Sequence, residues 1–127
     1  MRPVVLIAEP DELLAAAYRA FLVVEGFDVI WVDNGPDCLD QVRARVPQAL
    51  IVDAELPWNS EEGVLEILSN DVDASQIPVV LLTVSPSVLG QQGRGIVAIT
   101  LLKPVMPSRV ARTLRELLEA GELVQVK

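Results

Sequence analysis

Short, uniformly apolar runs alternate with longer amphipathic ones along the chain, and this alternation narrows the fold more than any other feature. Val4–Ala8, Ala49–Val52, Val79–Leu82 and Ile96–Leu102 are rich in Val, Ile and Leu, with almost no polar residue inside them. A run that is apolar at both alternating positions fits a strand covered on both faces, which is how a parallel sheet reads in sequence. Phe27–Val32, set between Gly26 and Asn34-Gly35-Pro36, is predicted as a fifth strand.

Helical spacing fills the intervals. Leu13, Leu14, Ala17, Tyr18, Phe21 and Leu22 recur at helix period, and Gly26 is placed to close that helix. Pro36 to Arg45 predicts a second helix, with Pro47 as punctuation before the next strand. Gly63 to Leu68 predicts a short third, with Asp71 to Gln76 as its polar exit. Pro107 and Ser108 open the last, where Val110, Leu114, Leu117 and Leu118 form an apolar stripe expected to end at Gly121. The stretch Pro86–Gly95 carries the weakest helix signal, with glycines, a proline and few apolar anchors. Strand and helix alternation in βα order implies an α/β, doubly wound, five-stranded parallel sheet. With 127 residues there is room for one core, expected at about 4–120 with a short tail over 121–127.

Composition removes several function classes. At 51% hydrophobic and 22% charged the chain can bury enough apolar surface to fold. Lys+Arg 10 against Asp+Glu 18 gives a formal charge of -8, which argues against nucleic acid or an anionic membrane as partner. There is no histidine, so a His general base, a His metal site, a Ser-His-Asp triad and a phosphohistidine intermediate are excluded on this chain. A single cysteine, Cys38, excludes an internal disulfide or a thiolate zinc cluster and reads as a small semi-buried hydrophobe. No run approaches the roughly 18 apolar residues of a membrane span. The expectation is a soluble, cytoplasmic, reducing setting.

In doubly wound sheets the functional site lies beyond the carboxyl ends of the strands. After the first predicted strand stand Glu9, Pro10, Asp11 and Glu12; the third ends at Asp53, the fourth at Thr83, the fifth at Lys103-Pro104. One crevice should therefore collect carboxylates, a hydroxyl and an ammonium. Crowded carboxylates repel, and a hard divalent cation, most often Mg²⁺, is the usual relief. A carboxylate nucleophile beside Mg²⁺, with a hydroxyl and a lysine to hold phosphoryl oxygens, is what phosphoryl transfer requires. Each residue has a plainer reading. Glu9, Asp11 and Glu12 suit a helix N-terminus, Asp53 a turn, Thr83 any strand, and Lys103 a snorkelling surface position. The four groups at four strand ends, in order, are what is specific.

These residues resemble the receiver domain of two-component response regulators. The resemblance runs from Val4 to about Ala120 and rests on Val-Leu-Ile-Ala-Glu-Pro-Asp at 5–11, Leu-Ile-Val-Asp-Ala-Glu-Leu-Pro at 50–57, Val-Val-Leu-Leu-Thr at 79–83 and Leu-Leu-Lys-Pro at 101–104. It implies a flavodoxin-like (βα)5 fold with strand order 2-1-3-4-5. Asp53 would accept a phosphoryl group from a histidine kinase or phosphotransfer protein, with Thr83 and Lys103 holding its oxygens and Pro57 shaping the following loop. Glu9, Asp53 and the backbone carbonyl of Glu55, with Asp11 as a further option, would be the Mg²⁺ ligands. Signalling would pass to a downstream effector protein or output domain, and the chain itself would not be an enzyme. A flavin-binding flavodoxin shares this topology, but the first βα turn here lacks the Ser/Thr/Gly-rich phosphate cradle.

The chain departs from the receiver pattern at several positions. Pro10 replaces the second acid after the first strand, so Asp11 or Glu55 compensates or metal binding is weakened. Gly63 is displaced, as if Trp58-Asn59-Ser60-Glu61-Glu62 held a two-residue insertion. Val84 stands where a small residue is usual and Thr100 where a switching aromatic is typical. Two readings follow: a phosphorylatable receiver with an atypical site, or a pseudo-receiver that keeps the fold and binds partners without phosphorylation. Arg109, Arg112 and Arg115 present either a solvated helix face or a homodimer or partner face.

Overall fold

A computed structural model describes residues 2–57, 64–72, 74–85 and 97–126, with side chains through residue 120 except that of Val64. The elements run β1 (Val4–Ala8), α1 (Glu12–Val24), β2 (Asp28–Val32), α2 (Gly35–Arg45), β3 (Ala49–Asp53), α3 (Val64–Asn70), a 3-10 turn (Ala74–Gln76), β4 (Val79–Thr83), β5 (Val97–Leu102) and α4 (Pro107–Val126). The sheet has five strands in the order β2-β1-β3-β4-β5, every pairing parallel. This is the fold class and strand order expected from the sequence.

The continuous apolar runs are explained by cover on both faces. Leu6, Leu50, Val52 and Val79 point to one side, where they pack with Cys38 and Val42 of α2, Leu68 of α3 and Ile77. Val5, Ile7, Ile51, Val80 and Leu82 point to the other, against Tyr18 and Leu22 of α1 and Val110, Ala111 and Leu114 of α4. Neighbouring residues of one strand thus serve opposite cores, and all five positions of β3 and of β4 are buried. Each fully buried Leu, Ile or Val contributes about 1.5–3 kcal/mol relative to exposure.

Local chemistry sets the element ends. Asp11 caps α1 by accepting from Leu13 N and Leu14 N. At its other end Phe27 N donates to Leu22 O (3.0 Å) and Gly26 N to Val23 O (3.1 Å), with Gly26 at φ 98°. This paired closure needs a left-handed residue at its centre, and glycine takes that conformation without a Cβ penalty. Phe27 is committed to it, so β2 starts one residue later than predicted. Asn34 caps α2 through Asp37 N (2.9 Å), and α2 ends on Val46, itself left-handed at φ 43°.

The last helix corrects the expected tail. It runs through Gly121 to Val126 instead of stopping at Gly121. A glycine inside a helix costs about 1 kcal/mol relative to alanine, and no proline follows to block continuation. The third helix likewise extends to Asn70, beyond the expected Leu68. The expected weak helix at Pro86–Gly95, the insertion at 58–62, Gly63 and Ile96 lie outside the described residues. No helix among the described residues is long and apolar enough to cross a membrane.

Candidate functional site

Because β1, β3, β4 and β5 are parallel and adjacent, their carboxyl ends share one edge of the sheet. Glu9 follows β1 directly. Its N–H donates to Val32 O (3.0 Å), and its own carbonyl accepts from Trp31 Nε1 (2.9 Å). The Glu9 backbone is thereby fixed on both sides, and its side chain turns into the crevice, where the residue is only 1% exposed. Asp53, the last residue of β3, is also buried. Lys103 follows β5, and its N–H donates to Thr83 O at 2.6 Å, extending the β4–β5 pairing by one step. The Lys103–Pro104 peptide is cis.

The three charged side chains meet. Lys103 Nζ donates to Asp53 Oδ2 at 2.5 Å and to Glu9 Oε1 at 3.1 Å. The second oxygen of each carboxylate is also bonded: Asp53 Oδ1 accepts from Glu55 N (2.7 Å) and Glu9 Oε2 from Asp11 N (3.1 Å). Charge-assisted bonds of this kind are about twice as strong as neutral ones. Thr83, buried at the end of β4, accepts at Oγ1 from Ser85 N (3.0 Å), which leaves its hydroxyl proton as a donor.

Burial and charge compete in the crevice. Burial raises the Glu9 carboxyl above its ordinary value, and the repulsion of Asp53 adds to this; the bonds from Asp11 N–H and Lys103 work against it without cancelling it. For Lys103, burial favours the neutral amine, yet its bonds to Asp53 and Glu9 prevail and raise the ammonium's pKa. Lys103 is therefore a firm cation. The Tyr18 hydroxyl, close enough to feel all three charges, is raised chiefly by burial. Cys38 is buried in the core between α2 and the sheet, its thiol pushed up to about 12 by burial, which makes it a packing residue as its sequence context suggests.

The crevice brings together the side chains of Glu9, Asp53 and Lys103, with Thr83 buried at the neighbouring end of β4, and leaves out two of the acids that follow β1. Asp11 does not join them: its Oδ1 is taken by the first turn of α1, and the residue is exposed. Glu12, the first residue of α1, also lies exposed. Glu55 enters through its backbone N–H, with its side chain exposed. Pro57 shapes the adjoining turn by offering its carbonyl to Gly35 N (2.8 Å), and Val84 is exposed next to Thr83. Sequence reasoning missed Trp31. Its register partner across the sheet is Ile7, which sets the indole beside Glu9, but a lone tryptophan in a strand carries no signal for that role.

Mg²⁺ requires near-octahedral oxygen ligation. The described residues offer two carboxylates with an ammonium between them, and among them no group of three His, Cys, Asp or Glu side chains is placed to hold a metal ion. Two carboxylates with waters can hold Mg²⁺, but here an ammonium sits between them and their remaining oxygens accept backbone N–H bonds, so the donor set as it stands is a poor fit to the ion.

Comparison with known proteins gives a consistent picture. No protein-family model matches the chain. The polar-differentiation response regulator DivK of Brucella anthropi is 32% identical over 79 residues, covering 62% of this chain and 64% of that protein. DivK of Brucella ovis is 30% identical over the same length and shares. The alignment thus spans just under two thirds of these relatives. Among solved structures, the signal receiver domain of a Vibrio parahaemolyticus protein superposes with a TM-score of 0.82 at 25% identity, covering 99% of this chain and 97% of that one. The chemotaxis response regulator CheY4 of Vibrio cholerae gives 0.81 at 18% identity, covering 91% and 98%, and so speaks for the fold alone.

Proposed function

We propose that this chain, a response-regulator receiver domain, accepts a phosphoryl group on Asp53 from a phosphohistidine of a histidine kinase or phosphotransfer protein. The observation that carries this reading is the contact of Lys103 Nζ with Asp53 Oδ2, at a strand end shared with Thr83. An Asp53 oxygen attacks phosphorus, the O–P bond forms, the N–P bond to the donor imidazole breaks, and the imidazole leaves on its own protein. Lys103 is placed to take phosphoryl oxygens as negative charge builds, and the Thr83 hydroxyl proton offers a second donor. In this reading Asp53 takes up one phosphoryl group per chain, as a stoichiometric phosphoacceptor rather than an enzyme.

Acyl phosphate formation places more negative charge at the end of β3. Lys103 then faces a stronger anion than the carboxylate it holds, and its backbone is bonded to Thr83 O. A shift of Lys103 is thus transmitted to the β4–β5 edge, where a downstream effector protein or output domain in the cytoplasm would read it by contact. The test is intact-mass measurement after incubation with acetyl phosphate or a phosphorylated donor protein. A single phosphoryl group on the native chain and none on Asp53→Asn supports the reading; no uptake with either donor overturns it.

A second reading has its own observation. All four carboxylate oxygens of Glu9 and Asp53 already accept a hydrogen bond, so the crevice is internally satisfied as it stands. A pseudo-receiver that signals only through protein contacts needs nothing more. Partner binding unchanged by Asp53→Asn would favour it over phosphoacceptance.

A further inference from the structure

We infer that Lys103 is the resident cation of this crevice, a tethered ammonium in the place of a divalent metal ion, and that Glu9 is its positioning residue and not a metal ligand. The inference concerns the unphosphorylated crevice, so it stands or falls separately from phosphoacceptance at Asp53.

Three observations converge. Lys103 Nζ lies between the two buried carboxylates, bonded to one oxygen of each, and with 14% of its side chain exposed it is itself largely enclosed. The acids able to complete a metal shell are withdrawn from the crevice. Asp11 is spent on the N-terminus of α1, Glu12 and Glu55 have exposed side chains, and Pro10 carries no carboxylate. The two carboxylate oxygens that Lys103 does not touch are held by the backbone N–H groups of Asp11 and Glu55. A divalent ion entering here competes with the ammonium for both carboxylates and with backbone N–H groups for their other oxygens, and no third anionic side chain among the described residues stands by to offset that competition. Mg²⁺ surrenders its water reluctantly, and two carboxylates already neutralised in part by a neighbouring ammonium are poor compensation.

The role of Glu9 follows. Its backbone is pinned by Val32 O and Trp31 Nε1, so its carboxylate is a fixed post that aims Nζ toward Asp53 Oδ2. A lysine suits this place because its compact ammonium can contact both acids from one point, where a planar guanidinium would impose a fork.

The test is a Mg²⁺ titration of the full unphosphorylated chain, followed by backbone amide NMR shifts of Glu9, Asp53 and Lys103. The native chain should show no saturating shift at millimolar Mg²⁺, while Pro10→Asp should gain ~10-fold or more in affinity, about 1.4 kcal/mol per tenfold. Lys103→Gln, checked for its native amide spectrum, should also bind Mg²⁺ more tightly than the native chain. If that variant does not fold, Pro10→Asp alone decides. Saturable binding by the native chain as tight as that of Pro10→Asp would overturn the inference. A chain that never takes up phosphate yet shows this Mg²⁺ pattern would sink phosphoacceptance and leave the tethered cation standing.

Discussion

Lys103 Nζ lies 2.5 Å from Asp53 Oδ2 and ties together residues 50 positions apart in the chain. The pair sits where β3 and β5 flank β4, so the contact holds the carboxyl edge of the sheet across one intervening strand. Removing one partner of a buried ion pair leaves the other charge uncompensated, which typically costs about 3–5 kcal/mol. Lys103→Met strands two buried carboxylates and is expected to fall in that range by urea denaturation at neutral pH. Adding Asp53→Asn to it should recover part of the loss, with a coupling of roughly 0.5–3 kcal/mol. Strictly additive losses would show that the contact contributes nothing to stability.

The Glu9 carboxyl gives the site a pH signature. Its ordinary value is 4.5, and burial raises it in the folded protein. Between those two values the folded state binds more protons than the unfolded state, so stability falls as pH rises through the window. The contribution is complete below 4.5 and lost once pH passes the raised folded value. Glu9→Gln removes it. The stability of the native chain relative to that variant should therefore decline as pH climbs from about 4.5. Lys103 acts at the alkaline end: its raised value keeps its contribution whole below 10.5 and loses it above. Unfolding curves collected at steps of pH check both, and a pH-independent difference for Glu9→Gln would refute the first.

Asp11 distinguishes a helix cap from a metal ligand. Its Oδ1 accepts from Leu13 N (2.9 Å) and Leu14 N (3.3 Å). Loss of such a cap costs about 0.5–2 kcal/mol. Asp11→Ala is expected to lower thermal stability by that much while leaving phosphoryl uptake at Asp53, measured by intact mass, at the native level. Asp11→Ser should restore most of the stability, because a hydroxyl caps as a carboxylate does. Loss of uptake without loss of stability would place Asp11 in the crevice after all.

The legible and illegible parts of this molecule divide along physical lines. β1, β3 and β4 were readable because burial on both faces forces near-continuous apolar runs, and Asp53, Thr83 and Lys103 because strand ends in a parallel sheet share one edge. Whether an acid after β1 enters the crevice depends on which carboxylate the first turn of α1 recruits, and two acids two residues apart look alike in sequence. Glu9 and Asp11 diverge only in the folded backbone, one buried and one exposed. The end of α4 is missed because Gly121 resembles a terminator, whereas a glycine closes a helix where it takes the left-handed conformation itself, and Gly121 stays helical. Trp31 was invisible because its role arises from strand register with Ile7, a non-local fact.

Val46 marks a site where the backbone itself is unfavourable. It closes α2 in the left-handed conformation, at φ 43° and ψ 67°, with its N–H bonded to Val42 O at 3.0 Å. For an L-residue with a Cβ this conformation costs roughly 1–2 kcal/mol, and branching at Cβ makes valine one of the poorer choices. Pro47 follows, and a residue before proline is further biased toward extended geometry. The side chain recovers little, being 58% exposed. Glycine adopts the same geometry freely but loses more entropy on folding, about 0.5–1 kcal/mol, which offsets part of the gain. Val46→Gly is thus expected to stabilise the chain by about 0.5–1 kcal/mol, raising Tm by roughly 2–5 °C for a domain of this size. Val46→Asn should give a smaller gain. Because Val46 precedes β3, it lies at the opposite edge of the sheet from Asp53, and calorimetry should record the shift with phosphoryl uptake unchanged. A fall in Tm for Val46→Gly would mean that the valine's partial packing outweighs its backbone cost.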